Sequence, residues 1–161
     1  MEGVGYLHSC DVVHRDIKLN NIVLDNLDKP KIIDFGFARR GINNNFESGC
    51  GTVNYMAPEL LNNLNNKKKA CKADIWALGV ILYYLITKRY PFRATNENVL
   101  FNKVKTEAAN LTCITDQNAR LVLEQMLAKQ QEARPTCQQV LDSDYLTDDE
   151  DPDAIFELKK D

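Results

Sequence analysis

Two short stretches hold the residues whose types and spacing could do chemistry. The first is His14-Arg15-Asp16-Ile17-Lys18-Leu19-Asn20-Asn21, and the second is Asp34-Phe35-Gly36. Asp16, Lys18 and Asn21 place a carboxylate, a cation and a neutral amide oxygen within six residues. Asp34 adds a hard anionic oxygen after the β-prone run Lys31-Ile32-Ile33, and Gly36 lets the chain turn sharply behind it. Phosphoryl transfer from a nucleotide needs such a set: a carboxylate near the attacking hydroxyl, cations on the moving phosphate, and oxygen ligands for magnesium. A lone loop aspartate is usually a turn former. It is the ordered group that points to chemistry.

The surrounding elements must hold these residues in place. Residues 1–10 read as the tail of a helix. Val12-Val13, Ile22-Val23-Leu24 and Lys31-Ile32-Ile33 are short β-prone runs. The turn-forming segment Asp25 to Pro30 makes a hairpin of the last two. Residues 37–52 carry three glycines, three consecutive asparagines and little periodicity, the mark of a long loop. Pro58 suits a helical first turn continued by Glu59-Leu60-Leu61, and residues 62–69 form a polar, basic insertion. The strongest helix runs from near Asp74 to about Thr87. Helical patterns follow at 96–105, 116–129 and 136–144, with Thr115 or Asp116 and Thr136 as caps. The acidic run DSDYLTDDEDPD at 142–153 ends the last helix and begins a solvated tail.

Bulk properties exclude several classes. The 161 residues fit one domain or a large subdomain, with 44% hydrophobic and 27% charged residues. A net charge of −3 gives no reason to expect nucleic acid or an anionic membrane as a partner. Five cysteines, an odd number with no C-x-x-C pair, argue against a disulfide framework or zinc site and for an intracellular, cytoplasmic setting. The apolar run Ile75–Ile86 is too short to span a bilayer, and residues 1–10 lack the features of a secretory leader.

Taken in order, the motifs resemble a family. H-R-D-x-K-x-x-N from His14, D-F-G eighteen positions after Asp16, Ala57-Pro58-Glu59, Asp74-Ile75-Trp76-Ala77-Leu78-Gly79, Pro91-Phe92 and Arg134-Pro135 are similar to the eukaryotic serine/threonine protein kinases. The resemblance implies a mainly α fold. It would be the kinase C-terminal lobe over 1–146, a helical bundle with one or two short β-hairpins at the catalytic loop, an activation segment at 34–59 and an acidic tail at 147–161. The glycine-rich loop and strand lysine of the pattern would lie before Met1.

The family pattern carries over residue by residue. Asp16 would orient and deprotonate the substrate hydroxyl, and Lys18 would contact the γ-phosphate. Asn21 and Asp34 would hold Mg2+. Val23 would lie under the adenine of ATP, with Lys18 and Asp34 also on the nucleotide. Thr52 would help bind the protein substrate. Glu59 and Arg134 would form a buried ion pair, and Asp74 would brace the backbone at His14 and Arg15. Ser48 would take an activating phosphate from an upstream kinase, read by Arg15. His14 is expected to be a packed structural residue. Asn20 and Tyr84 stand where arginine-directed kinases often place glutamate, which weighs against that preference. The run Cys50 to Glu59 leans toward calcium/calmodulin-dependent and AMP-activated relatives. Two other readings stand beside the enzyme: an inactive half-kinase that docks partners, and a small-molecule kinase, disfavoured by Ala57-Pro58-Glu59 and Gly51-Thr52.

Overall fold

Seventeen residues from Cys71 to Thr87 are apolar almost all round, so most of their helix has to be buried. In the computed structural model, which describes residues 1–41, 53–62 and 70–147, it is the central element, and every residue from Ala73 to Ile81 is buried. Around it in chain order come α1 (Glu2–Ser9), β1 (Val12–Val13), β2 (Ile22–Leu24), β3 (Pro30–Ile32) and β4 (Arg39–Arg40). The central helix is α2 (Cys71–Thr87). After it follow α3 (Glu97–Thr106), α4 (Gln117–Met126), α5 (Cys137–Leu141) and α6 (Asp144–Thr147).

Two glycines set how closely the helices approach. A Cβ on Gly79 of α2 would lie 3.0 Å from Met126 Cβ and 3.1 Å from Leu127 Cδ2, so glycine is what lets α4 sit against α2. A Cβ on Gly5 would meet Cys137 Cβ at 3.2 Å, where α1 packs on α5. Polar side chains start the later helices. Asn96 accepts from Val99 N at 3.0 Å and Asp116 from Ala119 N at 2.7 Å. Thr136 and Gln139 form a reciprocal capping box.

The hairpin β2–β3 pairs Ile22 with Ile32, Val23 with Lys31 and Leu24 with Pro30. Its turn is tied by Asp25, whose Oδ1 accepts from Leu27 N (2.9 Å) and Lys29 N (3.0 Å). Those two backbone bonds, that of Lys29 first, hold the Asp25 carboxyl below the usual range. The second pair, β1 with β4, is antiparallel but not a hairpin: Val12 meets Arg40 and Val13 meets Arg39, joining residues on either side of the loop that holds His14 to Asn21.

Several boundaries differ from expectation, each for a local reason. Strand β3 begins at Pro30 and ends at Ile32. The Ile33 backbone instead bonds to the neighbouring loop, giving its N–H to Asn21 O (2.9 Å) and its carbonyl to His14 Nε2 (3.2 Å), while its side chain stays exposed. The segment expected to loop from residue 37 contains β4. After Pro58 the described residues form a 3-10 turn, Leu60–Asn62, rather than an α-helix. Helix α4 stops at Met126 instead of 129 because the Ala128 and Lys129 carbonyls accept from the Arg134 guanidinium. The helix expected over 136–144 breaks after Leu141, and a separate turn, α6, follows. The insertion after residue 62 and most of the acidic tail lie outside the described residues.

Lys129 makes one feature of this packing measurable. Its Nζ donates to Val104 O at 2.6 Å and lies 4.2 Å from the Phe92 ring centroid and 4.9 Å from that of Trp76. Burial, then the nearby Arg134 charge, lower its pKa from the ordinary 10.5 to about 8, while the two ring faces favour the cation and work against that fall. Between those values the unfolded chain binds the extra proton, so this residue contributes stability that grows as pH rises from about 8 to 10.5. Compared with Lys129→Met, the wild type should gain about 1–2 kcal/mol between pH 7.5 and 10, read by urea unfolding. A pH-independent difference between the two proteins would contradict it.

Candidate active site

The loop between β1 and β2 carries the site, and a single buried carboxylate organises its backbone. Asp74, in the first turn of α2 and 1% exposed, accepts from His14 N (Oδ2, 2.9 Å) and Arg15 N (Oδ1, 2.9 Å). Its Oδ2 also accepts from His8 Nε2 of α1 at 2.9 Å. Arg15 has φ of +71°, a left-handed conformation that costs a non-glycine residue about 1–3 kcal/mol, and the charged acceptor on its N–H offsets that cost.

His14 is fully buried and bonded at both ring nitrogens. Nδ1 accepts from Asp16 N (3.3 Å), which puts the proton on Nε2, the atom that meets Ile33 O. Its ring meets Phe35 edge-on, with centroids 5.1 Å apart. The histidine thus ties the Asp16 loop to the Asp34 turn.

Asp16 is 5% exposed. Its Oδ2 accepts from Lys18 Nζ at 2.7 Å and from Asn21 Nδ2 at 3.0 Å. Asn21 Nδ2 donates in addition to Asp16 O at 2.8 Å. With both amide hydrogens committed to Asp16, Oδ1 is the Asn21 atom left to ligate. Asp16 Oδ1 is likewise the carboxylate atom left to take a proton from a hydroxyl. Asp34 is exposed, left-handed at φ +61°, and its Oδ1 accepts from Gly36 N at 3.2 Å. One exposed carboxylate and one amide oxygen lie on segments that Asp16 and His14 tie together, and both are hard oxygen donors of the kind magnesium accepts.

Val23 is 41% exposed on β2, and Leu24, Ile33, Phe35 and Phe37 are also exposed, so residues 23–37 present an apolar surface beside the loop. On the opposite flank Tyr55 is buried, with its hydroxyl 3.3 Å from that of Tyr90. Burial, then the Tyr90 hydroxyl, raise the Tyr55 phenol far above its usual range, while the Leu19 backbone beside it pulls the other way. Thr52 and Ser48 lie outside the described residues.

Farther from the loop, Arg134 is buried and uses all five of its N–H donors. Nη1 and Nη2 each reach a Glu59 oxygen at 2.7 Å. The remaining three bond Ala128 O (2.8 Å), Lys72 O (2.9 Å) and Lys129 O (3.3 Å). Lys72 Nζ in turn donates to Arg134 O, and the guanidinium carbon lies 5.0 Å from the Trp76 ring centroid. Two contacts escaped the sequence reading: His8 on Asp74 and Tyr90 on Tyr55. They join residues 66 and 35 apart, and no local pattern marks them.

A loop that presents a carboxylate, a cation and an amide oxygen, with an aspartate turn beside it, defines a class of phosphoryl-transfer folds, and comparison with known proteins agrees. The family model described as protein kinase domain matches residues 1–146. This chain belongs to the protein kinase family. It is 31% identical over 157 residues to the serine/threonine-protein kinase PLK2 of Mus musculus, covering 96% of this chain and 23% of that protein. It is 41% identical over 145 residues to the putative serine/threonine-protein kinase YPL150W of Saccharomyces cerevisiae, covering 89% and 16%. For the serine/threonine-protein kinase plk-1 of Caenorhabditis elegans the identity is 35% over 142 residues, covering 87% and 21%. The chain therefore spans less than a quarter of the length of these curated relatives. Among the described residues no helix is long and apolar enough to cross a membrane.

Proposed function

We propose that this chain is the acceptor-binding and metal-binding part of a serine/threonine protein kinase that moves the γ-phosphate of ATP to protein hydroxyls. The observation that carries the reading is the Asp16 carboxylate, buried and held on one oxygen by Lys18 and Asn21. Asp16 orients the acceptor hydroxyl and takes its proton as the oxygen attacks. Lys18 sits within reach of both that carboxylate and an incoming phosphate, and it keeps the accumulating negative charge compensated. Asn21 Oδ1 and Asp34 are the groups that would hold Mg2+, which, when bound, neutralises phosphate charge. Val23 offers an apolar seat for the adenine, and Thr52 assists the acceptor peptide. Lysine at position 18 favours serine and threonine over tyrosine as acceptors.

Regulation follows the same reading. A phosphate on Ser48, placed by an upstream kinase, pairs with Arg15 and raises activity. Ser48→Ala should hold a phosphorylated preparation at the basal rate, and an unchanged high rate would overturn this step. The subgroup reading, toward calcium/calmodulin-dependent and AMP-activated kinases, rests on the run Cys50 to Glu59. The free thiols of Cys10, Cys71, Cys113 and Cys137 favour a reducing, cytoplasmic location.

The direct test of the assignment is labelled phosphate transfer by the full-length protein followed by phosphoamino-acid analysis. Phosphoserine or phosphothreonine is expected. Phosphotyrosine alone, or transfer only to small molecules, would contradict it.

A further inference from the structure

The turn that follows α2 is pinned from beneath and charged on top. Lys88 closes the helix in a left-handed conformation, φ +58°, with its N–H on Tyr84 O at 2.7 Å. Thr87 Oγ1 accepts from Arg89 N at 3.2 Å. Tyr90 then points back to the Tyr55 hydroxyl and packs on Tyr84, with ring centroids 5.1 Å apart. Phe92 stacks on Trp76, with centroids 5.7 Å apart and planes 7° from parallel. The charged side chains exposed between and beside these anchors are Lys88, Arg89 and Arg93. None of the three pairs with a carboxylate among the described residues.

Along the sequence this turn lies in a stretch whose charge is almost entirely of one sign. Residues 75–96 contain no aspartate or glutamate, although the chain as a whole carries −3. The turn also lies next to the proposed acceptor site, because Tyr55, which Tyr90 meets, stands beside the Leu19 backbone between Lys18 and Asn20. Asn20 is exposed and Tyr84 half-buried, and both are uncharged, so neither supplies a negative group to offset the three cations.

We propose that the Lys88–Arg93 turn is a docking surface for acidic segments of the protein substrate, so that acceptor peptides carrying glutamate, aspartate or phosphorylated residues near the hydroxyl are selected. The proposal rests on the reading of Asp16 as the phosphoryl-transfer site. The anchored backbone of the turn fixes where the three cations start, and such exposed charges act mainly through specificity and association rate.

The test reads binding without turnover. Fluorescence anisotropy compares two labelled serine peptides, one flanked by glutamates and one by arginines, on the purified protein. The acidic peptide should bind about tenfold tighter, and the margin should shrink in high salt. Lys88→Glu/Arg89→Glu/Arg93→Glu should invert the preference, and the three-glutamine variant should abolish it. Melting curves establish that both variants are folded. Equal binding of the two peptides, a preference unchanged in either folded variant, or a DNA oligonucleotide binding as tightly as the acidic peptide would each overturn the proposal. A protein that keeps the preference but transfers no phosphate would overturn the kinase reading, and with it the substrate role of this surface, while its selection of acidic peptides holds.

Discussion

Asp16→Asn is expected to slow phosphoryl transfer by about three orders of magnitude while leaving the melting temperature close to wild type. The substitution preserves shape. An asparagine oxygen still accepts from Lys18 Nζ and Asn21 Nδ2, which lie 2.7 and 3.0 Å from the present Oδ2. What disappears is the negative charge, which takes the acceptor proton and compensates the Lys18 ammonium. The loss should fall on kcat, with the KM for ATP nearly unchanged, because the missing interaction is one made in the transition state. A variant within threefold of the wild-type rate would remove Asp16 from the chemistry.

The largest stability effect is expected at Arg134. Arg134→Ala leaves Glu59 without its partner and strips donors from the carbonyls of Ala128, Lys72 and Lys129 in one step. Breaking one side of such a buried pair costs about 3–5 kcal/mol. Arg134→Lys should recover little, because a three-donor point charge cannot span a bidentate carboxylate and three diverging carbonyls. Glu59→Gln should be milder than Arg134→Ala, since it keeps one acceptor, yet it still leaves a buried guanidinium underpaired. Urea unfolding at neutral pH measures all three. A loss below about 1 kcal/mol for Arg134→Ala would mean the network does not hold the fold together.

How much of this was legible in the sequence depends on distance along the chain. His14 to Asn21 lie within one loop, so residue types and spacing alone bring Asp16, Lys18 and Asn21 into one reading. The hairpin Ile22–Ile32 was equally plain, because Asp25 ties its own turn. The strand Arg39–Arg40 was not, since two arginines carry no β-preference and their order comes from Val12 and Val13 across the fold. The ends of α4 and α5 were misplaced because periodicity continues past the point where tertiary bonds intervene. Arg134 captures the carbonyls after Met126, a cause that lies in another element. The contacts of His8 with Asp74 and of Tyr55 with Tyr90 belong to the same class. Ser48 and Thr52 fall outside the described residues and stay expectations of the sequence.

The central claim, that the Asp16 loop and the Asp34 turn form one metal-nucleotide site, is tested most directly by thermal denaturation of the protein with and without Mg-ATP, beside Asp34→Ala. Asp34 is exposed and its side chain holds only the Gly36 N–H among the described residues, so the variant should fold like wild type. At 100 times its dissociation constant the ligand should add about 2.7 kcal/mol of apparent stability to the wild type, with magnesium required and the gain absent from the variant. A wild-type protein indifferent to Mg-ATP, or a variant stabilised as strongly as wild type, would contradict the account.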